Sequence, residues 1–127
     1  MKTILIAMVG IAFAGLMVAA PAQAQPSSSC FRLSDMGNHR VADSHTLYVS
    51  MAHNEIWRFE MTGACLGGAG PGDPLVVTPA GGGSLICRPI DLDIKVASLG
   101  GLSPCLLNSM TRLTPQEAAA LPRKLRP

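Results

Sequence analysis

The feature that most constrains this chain is its set of four cysteines, Cys30, Cys65, Cys87 and Cys105. Their spacings are wide: 35, 22 and 18 positions. No Cys-x-x-Cys pair occurs, so neither a thioredoxin-like redox motif nor a zinc ribbon is present. What the cysteines do instead depends on where the chain works, because disulfides persist only in oxidising surroundings.

The N-terminus supplies an address. Lys2 is the only charge before Arg32. From Ile4 to Ala20 the chain is apolar apart from Gly10 and Gly15. Pro21 breaks that run, and Ala22-Gln23-Ala24 offers the small residues a signal peptidase reads. This is the three-part pattern of a cleavable export signal. It predicts a signal peptide over 1–24, a cut between Ala24 and Gln25, and one mature domain over 25–127. The apolar run falls short of the roughly 18–20 residues that span a bilayer, so no stable membrane anchor is expected after cleavage. Ser27-Ser28-Ser29 before Cys30 lacks the leucine of a lipobox. The expected location is periplasmic or secreted.

In that setting an even cysteine count in a small domain reads as two disulfides. Each bridge closes a long loop and contributes roughly 3 kcal/mol by restricting the unfolded chain. Four cysteines allow three pairings, and the spacing leaves all three open. Bracing is needed, because a domain of this size buries a modest fraction of its surface. Removing residues 1–24 from 127 leaves 103, enough for one domain. Its only aromatics are Phe31, Tyr48, Trp57 and Phe59, so the core must be mainly aliphatic.

Charge excludes one class of partner. The chain has ten Lys and Arg against eight Asp and Glu. Without Lys2 the balance is nine against eight, a net charge of +1. A nucleic-acid binder would carry a dense basic face. Only Arg123-Lys124-Leu125-Arg126 is locally basic, and three charges fall short of a lipid-binding polybasic cluster.

Periodicity points to strands. In His45–Met51 the residues Leu47, Val49 and Met51 share a face; in Glu55–Thr62 so do Trp57, Phe59 and Met61. Both are period-two patterns. A three-residue turn, Ala52-His53-Asn54, sets Val49 opposite Trp57 and Leu47 opposite Phe59, whereas a two-residue turn would mix the faces. Asn54 then takes the left-handed position. Further strands are expected at Leu75–Thr78, Ser84–Arg88, Leu92–Val96 and Cys105–Leu113, and one starting at Cys30. Turns are expected at Gly37-Asn38, in the Gly-rich loop 67–72, at 81–83 and at 100–101. Pro89 separates two of the strands. Thr114-Pro115-Gln116-Glu117 is a capping box with proline at the first helical position, and Pro122 ends the helix it starts. The fold class is therefore mainly β: a small antiparallel sheet or barrel braced by two disulfides, with one short C-terminal helix. Residues 25–29 and 122–127 are expected to be flexible ends.

The order of landmarks resembles a family. It runs Cys30-Phe31, then Asp43 before Thr46-Leu47-Tyr48, then Trp57 and Phe59 leading to Cys65. Leu85-Ile86-Cys87 with Asp91 follows, and Cys105 closes the series. This is similar to an uncharacterised, domain-of-unknown-function family of small exported four-cysteine proteins of Gram-negative bacteria. The likeness covers nearly all of the mature chain. It implies the cysteine framework and a periplasmic address, and no catalytic residue.

The remaining candidates for chemistry are few. His39, His45 and His53 are the only histidines, with Asp35, Asp43 and Glu55 close in sequence. No His-x-x-x-His spacing occurs, and they read as exposed loop residues. Met36, Met51, Met61 and Met110 suggest soft copper ligation, but Met51 and Met61 have a simpler role in the core. Asp91 and Asp93 would share a solvated strand face and are too few for a calcium loop. Gly82-Gly83-Ser84-Leu85-Ile86 lacks the last glycine of a nucleophile elbow. Loop 67–72 lacks the Gly-Lys-Ser/Thr of a phosphate loop. The sequence therefore names no catalytic, cofactor-binding or metal residue. The expectation is a non-enzymatic exported domain that binds a protein or envelope component, through loop 67–72 and the turn at His53. The alternatives are a periplasmic metal-handling protein using the histidines and a small enzyme.

Overall fold

A computed structural model describes residues 30–127. The expected signal peptide, the cut between Ala24 and Gln25, and the lead 25–29 lie outside the described residues.

Among the described residues nine strands and one α-helix follow one another: β1 Phe31–Arg32, β2 Met36–Val41, β3 Thr46–Met51, β4 Glu55–Met61, β5 Leu75–Pro79, β6 Leu85–Ile86, β7 Leu92–Ser98, β8 Gly101–Cys105, β9 Leu107–Arg112 and α1 Pro115–Ala120. They form an antiparallel sheet in the order β2-β3-β4-β9, a second in the order β5-β7-β8, and a two-stranded ladder of β1 and β6. The fold is thus a small, mainly antiparallel β domain with one short C-terminal helix and two disulfide bridges.

The hairpin β3–β4 has the expected register, with Val49 opposite Trp57 and Leu47 opposite Phe59. Its three-residue link puts both His53 (φ 64°) and Asn54 (φ 60°) in the left-handed region. Histidine and asparagine are among the residues that tolerate it. The inner face of this hairpin, Leu47, Val49, Met51, Trp57, Phe59 and Met61, meets Leu92, Ile94 and Val96 of β7. Phe31 and Ile86 close the same core from the two-stranded ladder. Phe31 stands edge-on to Trp57 at 5.1 Å between ring centroids and stacks on Phe59 at 6.0 Å. Such contacts add specificity to the area they bury.

The bridges join Cys30 to Cys87 and Cys65 to Cys105. The first ties the outer ends of β1 and β6, and the second ties the loop after β4 to the end of β8. Each closes a long loop, over 57 and 40 residues.

Three sequence expectations need correction. Gly37-Asn38 is no turn: it lies inside β2, where the register shifts between Met36 and His39. At this bulge, position 37 leaves no room for a side chain. A Cβ there would lie 2.8 Å from Ser50 Oγ, the hydroxyl that donates to Asn38 O at 3.1 Å. The expected last strand Cys105–Leu113 is two half-strands of different sheets. Cys105 ends β8 opposite Ile94 of β7, whereas β9 pairs with β4. The break falls at Leu106, because the bridge and the core hold Cys105 on one sheet while Thr62 N–H donates to Leu106 O from the other. β8 itself, Gly-Leu-Ser-Pro-Cys, has no apolar alternation, and Pro104 reads as a breaker. As an edge strand it tolerates proline. Asp91 and Asp93 do not share a strand face, since Asp91 sits in a 3-10 turn, Pro89–Asp91, and only Asp93 is in β7.

Loop 67–72 is less open than its composition suggests. Leu66 is buried, Asp73 accepts from Gly70 N–H at 2.7 Å, and Pro71 O accepts from Val41 N–H at 3.1 Å. The loop therefore covers the outer edge of β2, a place where unpaired backbone groups would otherwise invite aggregation. Helix α1 begins as expected: Glu117 N–H donates to Thr114 Oγ1 and Thr114 N–H to Glu117 Oε2. Beyond it, Arg123–Leu125 forms a 3-10 turn, and the Arg126 guanidinium donates to Ala119 O and Leu121 O.

Candidate functional site

The large cleft of the described residues, about 700 Å³, lies between the Pro89–Asp91 turn and the crossover from β8 to β9. Pro89, Ile90, Leu92, Leu106 and Leu107 give it an apolar lining. Two of these side chains stand mostly in solvent, Ile90 at 74% and Leu106 at 73% exposure. An isolated exposed leucine is ordinary, but two flanking one cleft are a candidate contact.

Local chemistry fixes both residues in place. The Asp91 carboxylate accepts from Arg88 N–H at 2.9 Å, from Cys87 N–H at 3.2 Å and from the Arg88 guanidinium at 2.9 Å. The Arg88 side-chain bond and these two N–H groups hold the Asp91 carboxyl below the usual carboxylate range. Asp91 O also accepts from Ala80 N–H. The turn that presents Ile90 is therefore clasped on both sides, and Leu106 is held by the bond from Thr62 and by bridged Cys105 beside it. A contact surface ordered before binding loses less entropy on binding. The charges at the rim are already matched, Arg88 with Asp91 at 2.9 Å and Lys95 with Asp93 at 2.6 Å. The cleft thus offers shape and apolar surface, and little net charge.

The histidines do not converge. His39 Nε2 hydrogen-bonds Asp73 O at 2.7 Å. His45 Nδ1 pairs with Ser44 Oγ at 2.7 Å in an exposed turn, and His53 occupies the β3–β4 link. Among the described residues no three His, Cys, Asp or Glu side chains gather as a metal site. The Ser44–His45 pair lacks an orienting acid, which a nucleophilic triad needs. Asp43 instead accepts from the backbone N–H groups of His45 and Thr46, and the His45 bond leads in lowering its pKa. Glu55, at the end of the hairpin, is held by Arg112 at 2.8 Å and lies 3.4 Å from the Trp57 indole nitrogen. Met51 and Met61 are core residues. Among the described residues no helix is long and apolar enough to cross a membrane.

Ile90 and Leu106 had no signal in the sequence. Ile90 stands alone between Pro89 and Asp91, and Leu106 follows Cys105 and precedes Leu107, so neither sits in a period that reveals its direction. Comparison with family models, curated proteins and solved structures returned no match.

Proposed function

We propose that this chain is a non-enzymatic, exported, disulfide-braced domain that binds another protein through the cleft at Ile90 and Leu106. The observation that carries the reading is this cleft: an apolar lining, two outstanding aliphatic side chains, and a backbone clasped by Asp91. A protein partner fits better than a charged ligand, since the rim charges are already paired. The export signal and the two bridges support a periplasmic or secreted setting, and the likeness to small exported four-cysteine proteins agrees with it.

The test is site-specific photo-crosslinking in the exporting cell, with the reactive group at position 106 or, as a control, at Arg58 on the four-stranded sheet. A stoichiometric adduct from position 106, absent from position 58 and lost in Ile90→Ser, is the expected result. No adduct, or equal adducts from both positions, would remove the cleft from consideration.

A further inference from the structure

The two bridges differ in their surroundings. Cys30 and Cys87 are both exposed. Cys65 is half-buried, and Cys105 retains 3% of its surface and belongs to the core cluster. Thiol–disulfide exchange needs an attacking thiolate to reach a sulfur, so access separates labile bridges from inert ones. The elements behind each bridge differ as well. Cys30–Cys87 closes a ladder of two residue pairs, Phe31 with Ile86 and Arg32 with Leu85. Cys65–Cys105 is anchored in β8, which pairs with β7 over five positions.

We infer that Cys30–Cys87 is a thiol–disulfide exchange site, opened by dithiol partners and closed by disulfide partners while Cys65–Cys105 stays intact. The step balances with a dithiol as reductant. Its thiolate attacks one sulfur of the bridge, the sulfur–sulfur bond breaks, and the other sulfur leaves as a thiolate. The second thiol of the reductant then displaces the protein from the mixed disulfide. Two protein thiols and one reductant disulfide result, with two electrons transferred. The reverse sequence, with a disulfide oxidant, closes the bridge.

Opening has a structural readout. Phe31 is the residue after Cys30, and its ring covers Trp57 and Phe59. With two residue pairs and the Leu33 N–H bond to Ser84 O left to hold β1 at its far end, Phe31, next to the opened bridge, is the residue released, and water reaches the indole. Trp57 is the only tryptophan of the chain, so a change in tryptophan emission reports exposure of this one indole. The inference is independent of the binding reading, since the cleft at Ile90 and Leu106 is not its ground.

The experiment is graded reduction of the folded protein with dithiothreitol, with iodoacetamide trapping and peptide mapping against time. Cys30 and Cys87 should be alkylated at least tenfold faster than Cys65 and Cys105. The rate should rise with dithiothreitol concentration and stay flat at low urea, and Trp57 emission should shift in step. Alkylation of all four cysteines together, at a rate that climbs with urea, would mean exchange only through unfolding and would overturn the inference. So would earlier opening of Cys65–Cys105, or fast exchange with unchanged Trp57 emission. A double variant, Cys30→Ser with Cys87→Ser, provides a check without reductant. It should keep its far-ultraviolet circular dichroism and show the emission of the selectively reduced protein; an unfolded variant would contradict local opening.

Discussion

The four-stranded sheet and the three-stranded sheet use apolar side chains in opposite ways. In β3 and β4 every second residue is buried, and among the described residues none of the sheet's large aliphatics stands exposed. The exposed large hydrophobics, Val76, Leu85, Ile90, Leu99, Leu102 and Leu106, all belong to the three-stranded sheet, the two-stranded ladder and their connections. β8 is exposed along its length until Cys105. One half of the molecule therefore places its apolar surface inside, and the other half displays part of it. On the proposed reading, the displayed apolar surface of the second half is where contact would be made, while both halves supply the core.

The largest test of this division is removal of the buried bridge. Closing a loop of 40 residues contributes about 4 kcal/mol in the chain-entropy account, and the loss of packing at buried Cys105 adds to it. Cys65→Ala with Cys105→Ala should therefore lower the unfolding free energy by about 4–5 kcal/mol, measured in urea. The exposed bridge closes a longer loop at the end of the two-stranded ladder, and its removal should cost about 4 kcal/mol in the same account. If the exposed bridge proved the costlier, the two-stranded ladder would be more strongly braced than the junction of the two larger sheets.

Next comes a pair of truncations, one per sheet. Phe59 has no exposed surface, and Phe59→Ala should cost about 3–4 kcal/mol. Leu102 is exposed on β8, and Leu102→Ala should stay within about 0.5 kcal/mol. Equal costs would mean that the outer face of the three-stranded sheet is covered in solution.

What could be read from the chain follows locality and not this division, since β2 of the four-stranded sheet was hidden and β7 of the three-stranded sheet was legible. The hairpin β3–β4 was legible because its alternation is strict and one register alone keeps Leu47, Val49, Trp57 and Phe59 on a single face. The cap at Thr114 was legible because its geometry is local. β2 was hidden by Gly37 and Asn38, which read as a turn but form a bulge against Ser50, thirteen residues after Gly37. β8 was hidden because its pairing with β7 and the bridge at Cys105 are both non-local. The cleft shares that cause, since two distant chain segments make it and neither carries a pattern. The histidines read as exposed loop residues, yet His39 lies half-buried in β2 with Asp73 O as its partner, and Asp91 and Asp93 read onto one face that the 3-10 turn at Asp91 separates; both placements depend on a fold no spacing could give.

A smaller effect is expected where the last sheet strand hands over to α1. The helix has six residues and is too short to persist on propensity alone. Thr114→Ala removes the acceptor for Glu117 N–H, and should cost about 1 kcal/mol. The same variant should leave photo-crosslinking from position 106 unchanged, because α1 does not line that cleft.

The smallest effect is acid sensitivity, and its sign follows from three carboxylates. Asp43, Asp91 and Glu117 are all held below their ordinary values: Asp43 chiefly by His45 N–H, Asp91 by the Arg88 side chain, and Glu117 by Thr114 N–H. A carboxyl whose folded pKa lies below its unfolded one stabilises the fold above the ordinary value and loses that contribution as pH falls through the folded pKa. All three therefore contribute fully at neutral pH and are lost below about pH 4, where ordinary carboxylates titrate. Each is solvent-exposed, so screening keeps the contribution small. Urea midpoints should thus be flat with respect to these three groups from pH 7 down to about 5, and decline only in stronger acid. Asp91→Asn separates the two halves of the molecule. It should remove part of that acid dependence and loosen the turn bearing Ile90, weakening any adduct at position 106 while leaving the four-stranded sheet intact. A variant that kept the adduct but lost the sheet would place the turn in the stability of the core and out of the contact surface.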